Sequence, residues 1–343
     1  MNILLKIISP IIAVTALCSG CAATDSDSAD KTNSFSFALI GDQQYNPAEE
    51  LQFPHLLQAM DRENVQFVVH VGDFKAGRNA PCTDTLFLRR RQEFNESLHP
   101  FVYIPGDNDW VDCRRPTNGG AIPLERLEKL RELFFAKPES LGKNKLALTR
   151  QADVFSGDAV LSRYRENVMW IAGGKEQAGE QAGVVFATVN VQGSNDNMGF
   201  DADNDREQIE RTRANLEWIK HAAKRASATD IVGLVIFLQA NPGFDHSLAD
   251  VKNSGFKDFL EGFEKQAVAF GKPILFAHGD THVFRVDQPY KSPLDQRPIA
   301  NVTRVECYGS PRVNWVRVSV NAKHRAQPFR IQSGNFVPVA AMH

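Results

Sequence analysis

The chain of 343 residues carries 39 Lys and Arg against 41 Asp and Glu, a formal net charge of −2. That balance and a pI near 6.5 leave no polybasic footprint, which argues against nucleic acid as a partner. A hydrophobic share of 43% is ordinary for a globular protein with a substantial core.

At the N-terminus, Lys6 is the only charge before an apolar run from Ile7 to Leu17. This run is shorter than the roughly 20 apolar residues of a membrane span and fits the h-region of a secretory signal. Leu17-Cys18-Ser19-Gly20-Cys21 resembles the bacterial lipoprotein cleavage box, in which the last cysteine becomes the lipidated N-terminus. The alternative is an ordinary signal peptide cleaved near Ala22 or Ala23. The following stretch to Ser34 has no large apolar residue, so it cannot pack a core and reads as a tether. The expected organisation is a signal peptide over 1–20, the anchor Cys21 with a flexible tether over 21–34, and one domain over 35–343. The expected location follows: an exported lipoprotein held in a membrane, with Ala22 after the cysteine pointing to the outer membrane, facing the periplasm.

The first apolar run, Phe35 to Ile40, ends in Gly41-Asp42-Gln43-Gln44. A helix is expected from Ala48 to Arg62. Phe67 to Val71 reads as a second strand ending in Gly72-Asp73, followed by a helix from Thr83 to Leu98 that carries Arg89-Arg90-Arg91. Phe101 to Ile104 ends in Pro105-Gly106-Asp107-Asn108-Asp109. Pro123 then opens a helix with Leu124, Leu127, Leu130 and Phe134 on one stripe, a favourable place for proline. Strands are expected at 160–164, 168–172 and 184–191, and a helix from Asp205 to Ala226 with Ile209, Leu216 and Ile219 inward. Val235 to Leu238 runs into Gln239-Ala240-Asn241. A helix over 254–270 carries Phe256, Phe259, Leu260, Phe263 and Ala267 at helical spacing, which is core packing. Ile274 to Ala277 ends in His278-Gly279-Asp280-Thr281-His282, and strands follow at 302–308, 315–320 and 329–332. Neither repeat nor internal linker interrupts the body. The expected fold is α/β: two facing mixed β-sheets flanked by helices, a four-layer sandwich.

Three cysteines remain in the body: Cys82, Cys113 and Cys307. Cys82 follows the second Gly-Asp strand end and Cys113 the third. Adjacent strands would bring these loops together, and export permits pairing, so Cys82–Cys113 is the expected bridge. Three free buried thiols are the alternative.

Five apolar runs thus end in polar clusters, three of them in Gly-Asp. In an open α/β sheet, ligands bind beyond the carboxyl ends of the strands. Aspartates there supply hard oxygen ligands. Two metals roughly 3.5–4 Å apart can clamp both oxygens of a phosphoryl displacement.

In order and spacing these strand ends resemble the motifs of the calcineurin-like metallophosphoesterases, over Phe35 to about Arg285. Asp42-Gln43-Gln44 stands for that family's Asp-x-His, Gly72-Asp73 for its bridging Gly-Asp, and Gly106-Asp107-Asn108-Asp109 for its Gly-Asn-His-Asp/Glu. Gln239 stands for a strand-ending histidine, and Gly279-Asp280-Thr281-His282 for Gly-His-x-His. The resemblance implies a first metal on Asp42, Gln44, Asp73 and His282. A second would sit on Asp73, Asp107, Gln239 and Asp280, with Asp73 bridging and Asn108 an alternative to Asp107. Most family imidazoles are replaced by oxygen ligands, which favours one or two Mn²⁺, Mg²⁺ or Ca²⁺ ions over Zn²⁺.

The implied catalytic residues are Asn108, Asp109 and His278. Asn108 stands where the family has a leaving-group histidine and has no titratable proton, so His246, His278 or a metal-bound water would be the acid. Arg114, Arg115 and Asn195 are candidates for substrate binding, and surface or structural roles are the alternative for each. His70 falls at a core position. The resemblance implies hydrolysis of a phosphomonoester or phosphodiester by metal-activated water. Two other readings remain: a non-catalytic binding lipoprotein of the same fold, and an envelope interaction protein docking through Arg89–Arg91.

Overall fold

The structure is a computed structural model that describes residues 34–173, 182–243, 254–292 and 295–338. Residues 1–20, Cys21, the tether up to residue 33 and His246 lie outside the described residues.

Two sheets form the centre. The first comprises β1 (Ser34–Ile40), β2 (Val68–His70), β3 (Phe101–Tyr103), β11 (Val316–Asn321) and β12 (Phe329–Ser333), in the order β12-β11-β1-β2-β3. Its strands β1, β2 and β3 are parallel. The second comprises β4 (Thr149–Arg150), β5 (Val168–Gly173), β6 (Gly183–Thr188), β7 (Ile231–Phe237), β8 (Ile274–His278), β9 (Arg285–Asp287) and β10 (Val302–Glu306), in the order β4-β5-β6-β7-β8-β10-β9. Here β6, β7, β8 and β10 are parallel. Parallel strands at both centres place the carboxyl ends of β1, β2, β3, β7 and β8 where ligands bind in such sheets.

Three apolar layers hold this arrangement. Between the sheets, Phe37 and Leu39 of β1 and Val69 of β2 pack with Phe186 of β6, Val235 and Phe237 of β7 and Leu275 of β8. Strands buried on both faces read as continuous apolar runs, which is why five of them were visible in the sequence. Outside the first sheet lie α1 (Pro47–Asp61), α2 (Asp84–Asn95) and α3 (Pro123–Phe134), burying Phe53, Leu56, Phe87, Phe94, Leu127 and Leu130. Outside the second lie α4 (Ala202–Ala226) and α5 (Lys257–Phe270), burying Trp218, Ile219, Phe259 and Phe263. Asn46 starts α1 by accepting from Glu49 N at 3.1 Å, with Pro47 as its first residue. Asp201 caps α4 through Asp203 N and Asn204 N. No described helix is long and apolar enough to cross a membrane.

Two local expectations fail. The run 160–164 is not a strand. Leu161–Arg163 forms a single 3₁₀ turn, and Leu161 and Tyr164 make a small separate cluster with Ala214. Ile209 faces solvent on α4, because the buried stripe at the start of that helix is polar, running through Gln208, Arg211 and Asn215.

Cys82 and Cys113 are joined, and Cys307 is a free, buried thiol. The bridge ties the loop after β2 to the loop after β3, adjacent strands as expected. Replacing both cysteines by serine should lower stability by about 2–4 kcal/mol. Urea denaturation reads this as a lower midpoint; an unchanged midpoint would show the bridge to be energetically idle.

Candidate functional site

Asp42, Gln44, Asp73, Asp280 and His282 all adopt left-handed backbone, with φ of 52°, 67°, 58°, 80° and 64°. Non-glycine residues in that region are uncommon and each carries a conformational cost. Five of them at the ends of β1, β2 and β8 mark this corner as strained. The glycines before two of the aspartates make room for aspartates of other strand ends. A Cβ on Gly106 would lie 2.1 Å from Asp73 Oδ1, and one on Gly279 would lie 1.9 Å from Asp42 Oδ2. The Gly-Asp pairs thus interlock.

The carboxylates converge. Asp280 N donates to both oxygens of Asp42 at 3.0 Å. Asp73 Oδ1 accepts from Asn108 N at 3.0 Å. A Cβ on Gly193 would lie 2.8 Å from Asp107 Oδ1 and 3.0 Å from Asp280 Oδ1, so those two oxygens face a common point. Burial first, and then mutual repulsion, pushes Asp42 and Asp73 well above the ordinary carboxylate range. Burial and Asp107 push Asp280 up to about 7. Among the described residues none of Asp42, Asp73, Asp107 and Asp280 is ion-paired to Lys or Arg; the one such contact is His282 Nε2 at 3.6 Å from Asp42 Oδ1. His282 Nδ1 lies 2.8 Å from the Ser310 carbonyl, which can only accept. Nδ1 therefore carries a proton; in the neutral ring the Nε2 lone pair then faces the cluster, the arrangement of a metal-ligating imidazole.

The two glutamines behave differently from the carboxylates. Gln44 Nε2 donates to Glu93 Oε2 of α2 at 2.9 Å, and its Oε1 is buried without a hydrogen-bond partner. Gly193 N donates to Gln239 Oε1 at 2.7 Å. A backbone N–H can only donate, so the Gln239 amide nitrogen faces Asp73 Oδ2, at 3.1 Å. Gln239 therefore offers its donor, not its oxygen, to the cluster.

Tyr45, which the sequence did not single out, supplies a second donor there. Its hydroxyl donates to Asp73 Oδ2 at 3.2 Å, accepts from Asn108 Nδ2 at 2.9 Å and lies 3.4 Å from His282 Nε2. Burial and the Asp73 charge keep the phenol protonated. The only sequence signal is its place directly after Gln44. Among the described residues no group of three His, Cys, Asp or Glu side chains stands as a ready metal cage; the Tyr45 hydroxyl and Gln239 amide lie against Asp73 instead.

Several expected roles change. Asp109 is fully buried and accepts from Asp73 N, Phe74 N, Gly106 N and the Tyr103 hydroxyl, at 2.8–3.0 Å. Such a saturated carboxylate pins the turns after β2 and β3 together, which corrects its assignment to catalysis. Asp109→Ala should orphan four donors and cost about 3 kcal/mol or more. A urea midpoint within error of wild type would contradict the anchoring role. His278 is buried beneath the cluster, with Nδ1 2.7 Å from the Gly279 carbonyl. His70 is a core histidine: Gly72 N donates to its Nδ1 at 3.1 Å, and burial lowers its pKa to about 3.

The loop after β6 approaches the cluster through four successive left-handed residues, Ser194, Asn195, Asp196 and Asn197. Ser194 Oγ lies 2.6 Å from Asp107 Oδ2 and 2.9 Å from Asp112 Oδ1. Asn195 spends both ends of its amide on Met198 O and Gly255 N, so it shapes this loop and does not reach for substrate. Arg114 and Arg115 both pair with Asp112. Arg114 also lies over the Phe200 ring, 3.3 Å from its centroid.

The order of strand ends, the two sheets and their helical layers together decide the architecture. This is a metallophosphoesterase-like fold. GAP50, the anchor in the inner membrane complex of Plasmodium, matches with a TM-score of 0.50 at 11% identity, over 89% of this chain and 90% of that one. PhoD matches with a TM-score of 0.46 at 11% identity, over 88% and 68%. A dimetal phosphatase from Danio rerio matches with a TM-score of 0.43 at 11% identity, over 88% and 99%. Identity this low speaks to the fold alone. No protein-family model matches the chain, and no curated protein does.

Proposed function

We propose that the chain is a phosphoester hydrolase dependent on a divalent cation, and that one ion is held by Asp42, Asp73, Asp107, Asp280 and His282. The carrying observation is the convergence of four aspartates, Asp42, Asp73 and Asp107 buried and Asp280 partly so, without a Lys or Arg ion pair among the described residues. Like charges packed this way need protons or a cation between them. Oxygen donors in this number suit Mg²⁺, Mn²⁺ or Ca²⁺. With Gln239 offering an N–H and Gln44 tied to α2, the donor set supports one ion better than two. When bound, a divalent ion there supplies Lewis-acid charge and an acidified water.

The chain's own groups divide the remaining work. The Ser310 carbonyl fixes the His282 tautomer. Tyr45 and Gln239 orient Asp73 through its Oδ2. Ser194 orients Asp107. Arg114 and Arg115, held by Asp112 beside Asp107, would offer positive charge to the phosphoester oxygens.

The second reading is a non-catalytic binding protein. It is favoured by the Tyr45 and Gln239 donors lying against Asp73 and by the lack of a preformed cage. Purified protein stripped of metal, then assayed with Mn²⁺ or Mg²⁺ on a generic phosphodiester and a phosphomonoester, separates the two. Cation-dependent turnover supports the hydrolase; cation binding without turnover of either ester leaves the second reading.

The proposed setting is the cell envelope, with the lipid on Cys21 as the membrane attachment. The Cys82–Cys113 bridge supports an oxidising compartment. Cys21→Ser should move the protein from the membrane to the soluble fraction, and unchanged fractionation would refute the anchor.

A further inference from the structure

Beside the carboxylate cluster lies a cavity of about 370 Å³ whose lining includes Gln44, Tyr45, Lys75, Leu86, Arg89 and Arg90. Tyr45 is shared: it lines the cavity and its hydroxyl bonds Asp73. Two fully buried groups on this wall are under-satisfied by the protein. Lys75 is 1% exposed, and among the described residues its ammonium has a single acceptor, the Ala76 carbonyl at 2.9 Å. An ammonium carries three donors. Gln44 is 2% exposed, and its Oε1 has no partner while Glu93 fixes its amide nitrogen. A buried polar group left short of partners is costly, so one atom without a partner and one ammonium with a single acceptor on the same cavity wall ask for a ligand with complementary groups.

The charges say which. Arg90 is spent on Glu50, Glu93, Phe74 O and Gln44 O. Arg89 shares Glu50 and is half exposed. With Lys75, three cations line this space, and among the described residues Glu50 is the only acid lining it, though the charges of Asp109 and Asp73 also act on Lys75. The wall therefore favours an anion at Lys75 and a hydroxyl or N–H donor at Gln44.

We propose that this cavity binds a phosphorylated polyol, with an anionic oxygen on Lys75 and a hydroxyl on Gln44 Oε1, and so selects the alcohol side of the substrate. The inference deepens the hydrolase reading and rests on it for the word substrate. The binding itself requires no cation, so the two fail separately.

The test is calorimetric titration in EDTA with glycerol 3-phosphate, ribose 5-phosphate, inorganic phosphate and glycerol. Either polyol phosphate should bind about tenfold or more tightly than phosphate or glycerol alone, the worth of one added hydrogen bond to a buried group. Gln44→Leu should close the gap between polyol phosphate and inorganic phosphate. Lys75→Met should weaken polyol phosphate by about tenfold or more. Leu86→Trp, which fills the cavity from its rim, should abolish binding and decides the matter should Lys75→Met not fold. Sedimentation with phosphatidylglycerol vesicles, lost in Leu86→Trp, would assign the same chemistry to a lipid headgroup. Equal affinity for phosphate and polyol phosphate, or undiminished binding in Leu86→Trp, overturns the proposal.

Discussion

Asp73→Asn should weaken divalent-cation binding by roughly a thousandfold, and with it any hydrolysis, while the metal-free protein stays as stable as wild type. Asp73 sits between the other aspartates: Asp107, Asp109, Asp42 and Asp280 all raise its pKa, after burial itself. Removing one unit charge about 4 Å from an ion, at an effective dielectric near 20, forfeits about 4 kcal/mol. The metal-free protein loses less. Asparagine keeps an oxygen for Asn108 N, and the lost acceptor for Gln239 and Tyr45 is offset by relief of like-charge repulsion. Calorimetric titration with Mn²⁺ reads the first effect and thermal melts in EDTA the second. A variant that binds Mn²⁺ as wild type does would remove Asp73 from the site. A variant that melts far below wild type in EDTA would make Asp73 a structural residue.

The metal-free protein should also be more stable at pH 5.5 than at pH 7.5, by a few kcal/mol or several degrees of melting temperature. Carboxylates whose folded pKa is raised hold protons that the unfolded chain releases. Their contribution is fully present below about 4, the unfolded value. It is lost as pH rises through the folded values, about 6 for Asp109 and about 7 for Asp280. Asp42 and Asp73 shift in the same direction. His70 opposes them. Its pKa is lowered to about 3, which costs about 1.4 kcal/mol for each pH unit below about 6.5. Four carboxylates outweigh one imidazole over this window. Saturating Mn²⁺ should flatten or reverse the trend, because the bound ion holds the aspartates ionised. Melts at several pH values, with EDTA and with Mn²⁺, check this. A metal-free protein that loses stability steadily from pH 7.5 to 5.5 would contradict the crowding of buried carboxylates.

The strand ends were legible because each is an unbroken apolar run closed by residues that turn the chain, and strands buried on both faces have that signature. Asp42, Asp73, Asp107 and Asp280 follow from it. The Cys82–Cys113 bridge follows from the adjacency of β2 and β3. Other features depend on contacts distant in sequence. Asp109 looks like its neighbours Asp107 and Asn108 until four donors from two turns are seen to meet on it. Gln239 reads as an oxygen ligand until Gly193 N claims that oxygen. Asn195 lies next to Ser194, which touches Asp107, yet its own amide points into the loop. The left-handed turn did leave a trace, since Asn195-Asp196-Asn197 are residues that tolerate this backbone. Ile209 misled because the start of α4 buries Gln208, Arg211 and Asn215 against Asp196 and Asn190, so apolar periodicity pointed to the wrong face.

Calorimetric titration of Mn²⁺ into the metal-stripped wild-type protein tests the central claim most directly. The account predicts saturable binding of one ion per chain, with a matching rise in melting temperature. No binding heat and no shift in the melt at millimolar Mn²⁺ would contradict it, and would leave Tyr45 and Gln239 as the donors that took the place of metal.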